Sequence, residues 1–161
     1  MAQIVLADFV EVSHQAERFF QLLPSDWAEC IAPYWPSYQN NTRVYILESE
    51  GRALAGGMVF GSLPPDFTYY EAEARPWFQQ GYLYIAYLWV AESSRGQGLG
   101  SLWMEELLQL HPAQRYWLVI EDYLLTQFYE PLGFRLVSHF NKTKWMSGSW
   151  LADSGCWLML F

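Results

Sequence analysis

Arg95-Gly96-Gln97-Gly98-Leu99-Gly100-Ser101 lies between a strand-like segment, Tyr82 to Ala91, and a helix-like segment, Leu102 to Leu110. Glycines at alternate positions let the backbone approach an anion without side-chain obstruction and then turn into a helix. The first helical turn presents N–H groups that have no intrahelical acceptor. The helix dipole adds partial positive charge there, and Arg95 adds a full one at the mouth of the loop. The run therefore reads as a cradle for a pyrophosphate. Two other phosphate loops do not fit it. A P-loop needs Gly-Lys-Ser/Thr at its end, and no lysine follows Gly100. A dinucleotide fingerprint needs its third glycine where Ser101 stands.

Downstream, Tyr116-Trp117-Leu118-Val119-Ile120 is a short apolar run with the character of a buried parallel strand. Phe128-Tyr129-Glu130-Pro131-Leu132-Gly133-Phe134 follows. There Gly133 reads as the C-cap of a helix carrying Leu124, Leu125, Phe128 and Tyr129 on one face, and Phe134 to Phe140 as the next strand. The order is strand, phosphate loop, helix, strand, helix, strand.

Two of these motifs carry a family resemblance. Arg95-x-x-Gly98-x-Gly100 after a strand resembles the acyl-CoA-binding motif of the GNAT superfamily of N-acetyltransferases. Phe128 to Phe134 resembles that family's Phe/Leu-Tyr-x-x-Leu-Gly-Phe junction. The resemblance is specific over roughly residues 80 to 140 and rests on element order elsewhere. It implies a single α/β domain over 1–161, with a mixed, mostly antiparallel sheet of roughly six to seven strands and about four flanking helices. A splayed parallel strand pair would leave a slot for a pantetheine arm. It also implies acetyl-CoA as cosubstrate and transfer of acetyl to a primary amine by direct attack in a ternary complex. By resemblance, Leu88, Trp89 and Val90 meet the pantetheine. Arg95, Gly96, Gln97, Gly98, Leu99, Gly100 and Ser101 hold the pyrophosphate, Asp122 and Phe128 also contact the cofactor, Asp122 at the acyl chain or acceptor, and Tyr129 is the general acid at the thioester sulfur.

The chemistry makes three demands: an alkyl ammonium of pKa about 10.4 must lose a proton, an oxyanion must be stabilised, and a thiolate must be protonated. A phenol suits the last task, although an aromatic at a helix end is also an ordinary packing element. The backbone N–H near Leu88 is the oxyanion candidate. Many relatives carry a glutamate on the strand before the loop, but Tyr84 to Val90 holds no carboxylate. Glu71, Glu73 and Glu121 are the remaining candidate bases, acting directly or through water, unless the amine arrives neutral. The family's usual proline is replaced by Glu92 and its usual asparagine by Asp122, which can still cap a helix. The missing strand carboxylate leaves an alternative, a non-catalytic acyl-CoA-binding sensor module.

The net charge of -8, with 17 acidic against 9 basic residues, argues against nucleic acid or an anionic membrane as partner. It suits a cationic amine, small molecule or peptide, or simply aids solubility. No apolar run approaches the roughly 20 residues of a membrane span. Met1 to Asp8 lacks the features of a signal peptide, so the expectation is cytoplasmic. Cys30 and Cys156, like His14, His111 and His139, are scattered, so no metal is expected.

Elsewhere, Ile4 to Phe9 reads as a strand and Ser13 to Leu23 as a helix stopped by Pro24. Ser25-Asp26 reads as the cap of a helix over Trp27 to Ile31. Thr42 to Glu48 and Ala53 to Phe60 read as an antiparallel hairpin about Glu50-Gly51-Arg52. Leu63 to Gln80 is expected to be a lid beside the acceptor, with a short helix inside it, or a loop packed on the sheet edge. Trp145 to Trp150 and Cys156 to Phe161 read as a closing hairpin joined by Leu151 to Gly155. Its aromatic density leaves room for a homodimer.

Overall fold

The computed structural model describes residues 6–64, 71–146 and 149–161. In chain order the elements are β1 (Asp8–Glu11), α1 (Glu17–Phe20), α2 (Ser25–Ile31), α3 (Trp35–Tyr38), β2 (Thr42–Ser49), β3 (Arg52–Phe60) and α4 (Glu71–Gln79). There follow β4 (Leu83–Val90), α5 (Leu99–Leu110), β5 (Tyr116–Ile120), α6 (Thr126–Tyr129), β6 (Arg135–Met146) and β7 (Ser149–Leu160). Hydrogen bonding joins the strands in the order β1-β2-β3-β4-β5-β7-β6. The pairs β1/β2, β2/β3, β5/β7 and β6/β7 are antiparallel, and β4/β5 is parallel. This is the mixed α/β sheet the sequence led us to expect. The chain divides into two compact units, Met1–Phe60 with Ile85–Ala113, and Gly61–Tyr84 with Gln114–Phe161.

In the first unit the hairpin of β2 and β3 forms the centre, closed at Glu50-Gly51, where both residues take positive φ (51° and 76°). A two-residue turn of that kind matches the twist of the paired strands. Successive residues of β3 face opposite sides of the sheet. A Cβ on Gly56 would meet the Phe19 ring of α1 at 2.5 Å, and one on Gly57 the Trp103 ring of α5 at 2.6 Å. These two glycines therefore seat the two helices on opposite faces. Trp103 is fully buried and its Nε1 donates to the Tyr45 carbonyl at 3.0 Å. Phe19, Ile31, Ile46, Leu47, Met58 and Met104 complete this core.

In the second unit the parallel ladder covers two residue pairs, Leu83 with Tyr116 and Tyr84 with Trp117. Trp117 is buried, stacked on Tyr84 (4.3 Å between ring centroids) and met edge-on by Phe78 of α4.

Several boundaries differ from expectation. Residues 4–5 lie outside the described residues, and β1 begins at Asp8. The Ser13 to Leu23 helix breaks into a 3-10 turn and the short α1. Ser25 and Asp26 fall inside α2, whose N-cap is Pro24 without a side-chain bond. Of the expected lid, residues 65–70 lie outside the described residues, while Glu71–Gln79 is the short helix α4. The closing hairpin is β6 with β7. The Asp153-Ser154-Gly155 run that reads as a turn is taken into the strand, where the register shifts between Asn141 and Lys142. A bulge absorbs turn-forming residues without ending a strand.

Candidate active site

In the first unit, β4 runs into the glycine loop through Ala91, whose N–H donates to the Leu54 carbonyl at 2.8 Å. Within that strand Tyr87 has φ +58, one of two non-glycine residues with positive φ among the described residues. An aromatic residue held there stores strain of roughly 1–3 kcal/mol, which packing around it must oppose. Its ring is held by Phe60 (6.2 Å) and Trp27 (5.9 Å). The left-handed turn falls immediately before Leu88, the expected oxyanion donor, and reorients the peptide planes around it. Nothing in the sequence signals it, since glycine or asparagine is the usual marker of such a conformation.

Gly96 and Gly98 take φ +76° and +75°, and a Cβ at either would meet no atom within 4 Å. The loop is thus open to solvent and shaped by its backbone. α5 starts at Leu99, three residues before the expected Leu102, because Gly98 serves as its N-cap. Its first intrahelical bond runs from the Leu102 N–H to the Gly98 carbonyl at 3.0 Å. The N–H groups of Leu99, Gly100 and Ser101 precede it and have no acceptor in the helix. That arrangement fits a pyrophosphate. Arg95 lies with its guanidinium 4.7 Å over the Trp89 ring, and its Nε donates to the Val90 carbonyl at 3.2 Å. Leu88 to Val90 and Arg95 to Ser101 are thus all placed in this unit.

The second unit holds the other predicted residues. Tyr129 ends α6, half-buried, between the rings of Phe128 (4.8 Å) and Phe134 (5.7 Å). Loss of water around the phenol pushes its pKa up to about 12. The position is fixed from both sides. Asp122 Oδ1 accepts the Leu124 N–H at 2.9 Å, the cap expected of it. Gly133 at φ +106° ends the turn, with the Phe134 N–H donating to the Tyr129 carbonyl at 3.2 Å. The apolar face expected on this helix is not wholly buried, because Leu124 and Leu125 are exposed. Glu71 is exposed and held by Arg75 at 3.1 Å, Glu73 is half-buried on the first turn of α4, and Glu121 is exposed after β5. Among the described residues no three His, Cys, Asp or Glu side chains group as metal ligands, and no helix is long and apolar enough to cross a membrane.

The family model of the acetyltransferase (GNAT) family matches residues 9–134. Among solved structures, the ribosomal-protein-S18-alanine N-acetyltransferase of Escherichia coli superposes with a TM-score of 0.67 at 13% identity, covering 96% of this chain and 92% of its own. An agmatine N-acetyltransferase superposes at 0.68 and 14% identity, with 96% and 99% covered. A GNAT family acetyltransferase from Elizabethkingia anophelis with acetyl-CoA bound gives 0.59 at 13% identity, with 96% of each chain covered. None of the curated protein sequences matches the chain significantly. The open glycine loop after β4, the Phe-Tyr junction and the family match over most of the chain agree: this protein is an acetyl-CoA-dependent acetyltransferase and belongs to the GNAT family.

Proposed function

We propose that the chain, acting as one domain over 1–161, transfers acetyl from acetyl-CoA to a primary amine of a small molecule or peptide by direct attack in a ternary complex. The observation that carries this reading is the strained backbone at Tyr87 immediately before Leu88, in the same unit as the open glycine cradle. The Leu88 N–H would take the thioester oxygen as it gains charge, while the N–H groups of Gln97 to Ser101 and the charge of Arg95 would hold the pyrophosphate. Leu88, Trp89 and Val90 would align the pantetheine. The amine lone pair forms the new C–N bond as the C–S bond breaks, Tyr129 serving the departing sulfur and Asp122 and Phe128 contacting the cofactor. The ammonium proton leaves through water or through Glu71, Glu73 or Glu121. The reading extends to a cytoplasmic enzyme able to form a homodimer, with neither nucleic acid nor membrane as partner.

Calorimetric titration with acetyl-CoA tests the cradle. Wild type is expected to bind at micromolar concentration and Gly98→Asp to lose binding. A carboxylate at this N-cap satisfies the helix dipole, which offsets strain at φ +75°, so the variant keeps its fold while repelling the phosphates. Equal binding by both proteins would remove the cradle from the reading.

A further inference from the structure

Arg95 carries the charge that the proposed function sets at the mouth of the cradle, and the groups that hold it do not cancel that charge. Its guanidinium lies 4.7 Å from the centre of the Trp89 ring, and its Nε donates to the Val90 carbonyl at 3.2 Å. Arg18, Arg43 and Arg75 are each tied to a glutamate, whereas among the described residues no carboxylate pairs with Arg95. In a chain of 17 acidic and 9 basic residues, this leaves one full positive charge exposed and unneutralised.

The Trp89 ring is itself fixed. Trp27 of α2 meets it edge to face, 5.1 Å between centroids at 64°. α2, β4 and the start of α5 all lie in the first unit. An exposed arginine ordinarily samples many rotamers, and a ligand that needs one of them must immobilise the side chain on binding. A planar guanidinium laid on an indole is already confined, and the ring brings no net charge, so the cation stays available to an anion. With Nε on the Val90 carbonyl, the terminal N–H groups have no acceptor among the described residues. They form the fork that takes two oxygens of a phosphate.

We infer that Trp89 is a positioning residue: its indole, backed by Trp27, fixes the Arg95 guanidinium as a preformed fork for the pyrophosphate of acetyl-CoA. This rests on the cradle of the proposed function and gives the Trp89 ring a task separate from aligning the pantetheine. The opposite arrangement, an Arg95 parked on Trp89 that must leave it to meet the ligand, predicts the opposite sign. Removing the ring weakens binding if it holds the competent state and tightens binding if it holds an incompetent one.

The experiment is calorimetric titration of the full chain with acetyl-CoA. Trp89→Leu is expected to weaken binding about 3- to 10-fold, one cation–π contact plus the ordering of one arginine. Trp89→Phe, which keeps a π face, should recover most of the loss. Arg95→Met should also weaken binding, and adding Trp89→Leu to it should change Kd by less than about 2-fold, because the ring then has no cation to place. Trp89→Met fills similar space without a π face and repeats the test if the leucine variant does not fold. A ring that serves only packing would cost the same with Arg95 present or absent, and that result would overturn the inference. Gly98→Asp, titrated alongside, separates the two levels. Binding retained in Gly98→Asp would overturn the cradle and the inference with it. Binding lost there but equal or tighter in Trp89→Leu, or unchanged in Arg95→Met, would overturn the inference alone.

Discussion

A phenol whose pKa is pushed up to about 12 stays protonated across the working range of any amine acetyltransferase. Tyr129 therefore always has a proton to offer, but it offers it reluctantly. An alkyl thiol titrates near 8.5, so full transfer from such a phenol to a free thiolate is uphill by about 5 kcal/mol. In the proposed reaction such a phenol would donate a hydrogen bond to the sulfur as C–S cleavage proceeds, the proton balance being closed by the ammonium. Tyr129→Phe should lower kcat about 100-fold, the lower end for a positioned acid, with acetyl-CoA affinity unchanged. Thiol release and calorimetry on the same preparation check both parts; unchanged turnover would remove Tyr129 from the mechanism. The pH dependence of stability has a definite sign. With a phenol near 10 in the unfolded chain and about 12 in the fold, the native state holds the proton more tightly. The Tyr129 contribution is intact below pH 10 and is lost as pH rises through 12. Urea midpoints of wild type and Tyr129→Phe should keep a constant difference up to pH 10, then change relative to one another above it, with wild type losing more.

At the scale of elements, β3 positions the helices because two consecutive residues have no side chain. Gly57 carries the Trp103 ring closer than any Cβ allows, and that ring is pinned by its bond to the Tyr45 carbonyl, so it cannot retreat. Gly57→Ala should destabilise by about 1–3 kcal/mol, the cost of overpacking a fixed core, read as a lower urea midpoint with the slope unchanged. An unchanged midpoint would mean that α5 can shift as a body. This geometry bears on the site, since α5 begins at the cradle. In the sequence Gly56-Gly57 signals a weak strand or a close approach, without saying to what. Elements whose signals are local were legible: the β2/β3 hairpin, β5 to the residue, and the Gly133 cap. The closing hairpin was not, because Asp153-Ser154-Gly155 carries turn chemistry that tertiary pairing overrides.

For the molecule as a whole, the fold class followed from strand and helix order about one glycine loop. The geometry of the candidate site was legible only where it lies in sequence-local backbone. The cradle and the Asp122 cap are of that kind. Tyr87 is not, because a positive φ at a tyrosine is imposed by its neighbours, and neither is the Trp27 contact, which joins residues 60 positions apart. Such a site gains little from the sequence-local part alone and most from a ligand that engages the folded backbone. On the proposed reading acetyl-CoA would bind the native cradle and find none in the unfolded chain, so its binding would appear as stability. At 100 times Kd the gain is about 2.7 kcal/mol. For a chain of this size that is a rise in Tm of roughly 5–11 °C. Thermal unfolding with and without acetyl-CoA should show that rise in wild type and in Tyr129→Phe, but not in Gly98→Asp. A rise retained in Gly98→Asp would place the bound molecule elsewhere than on the N-terminus of α5.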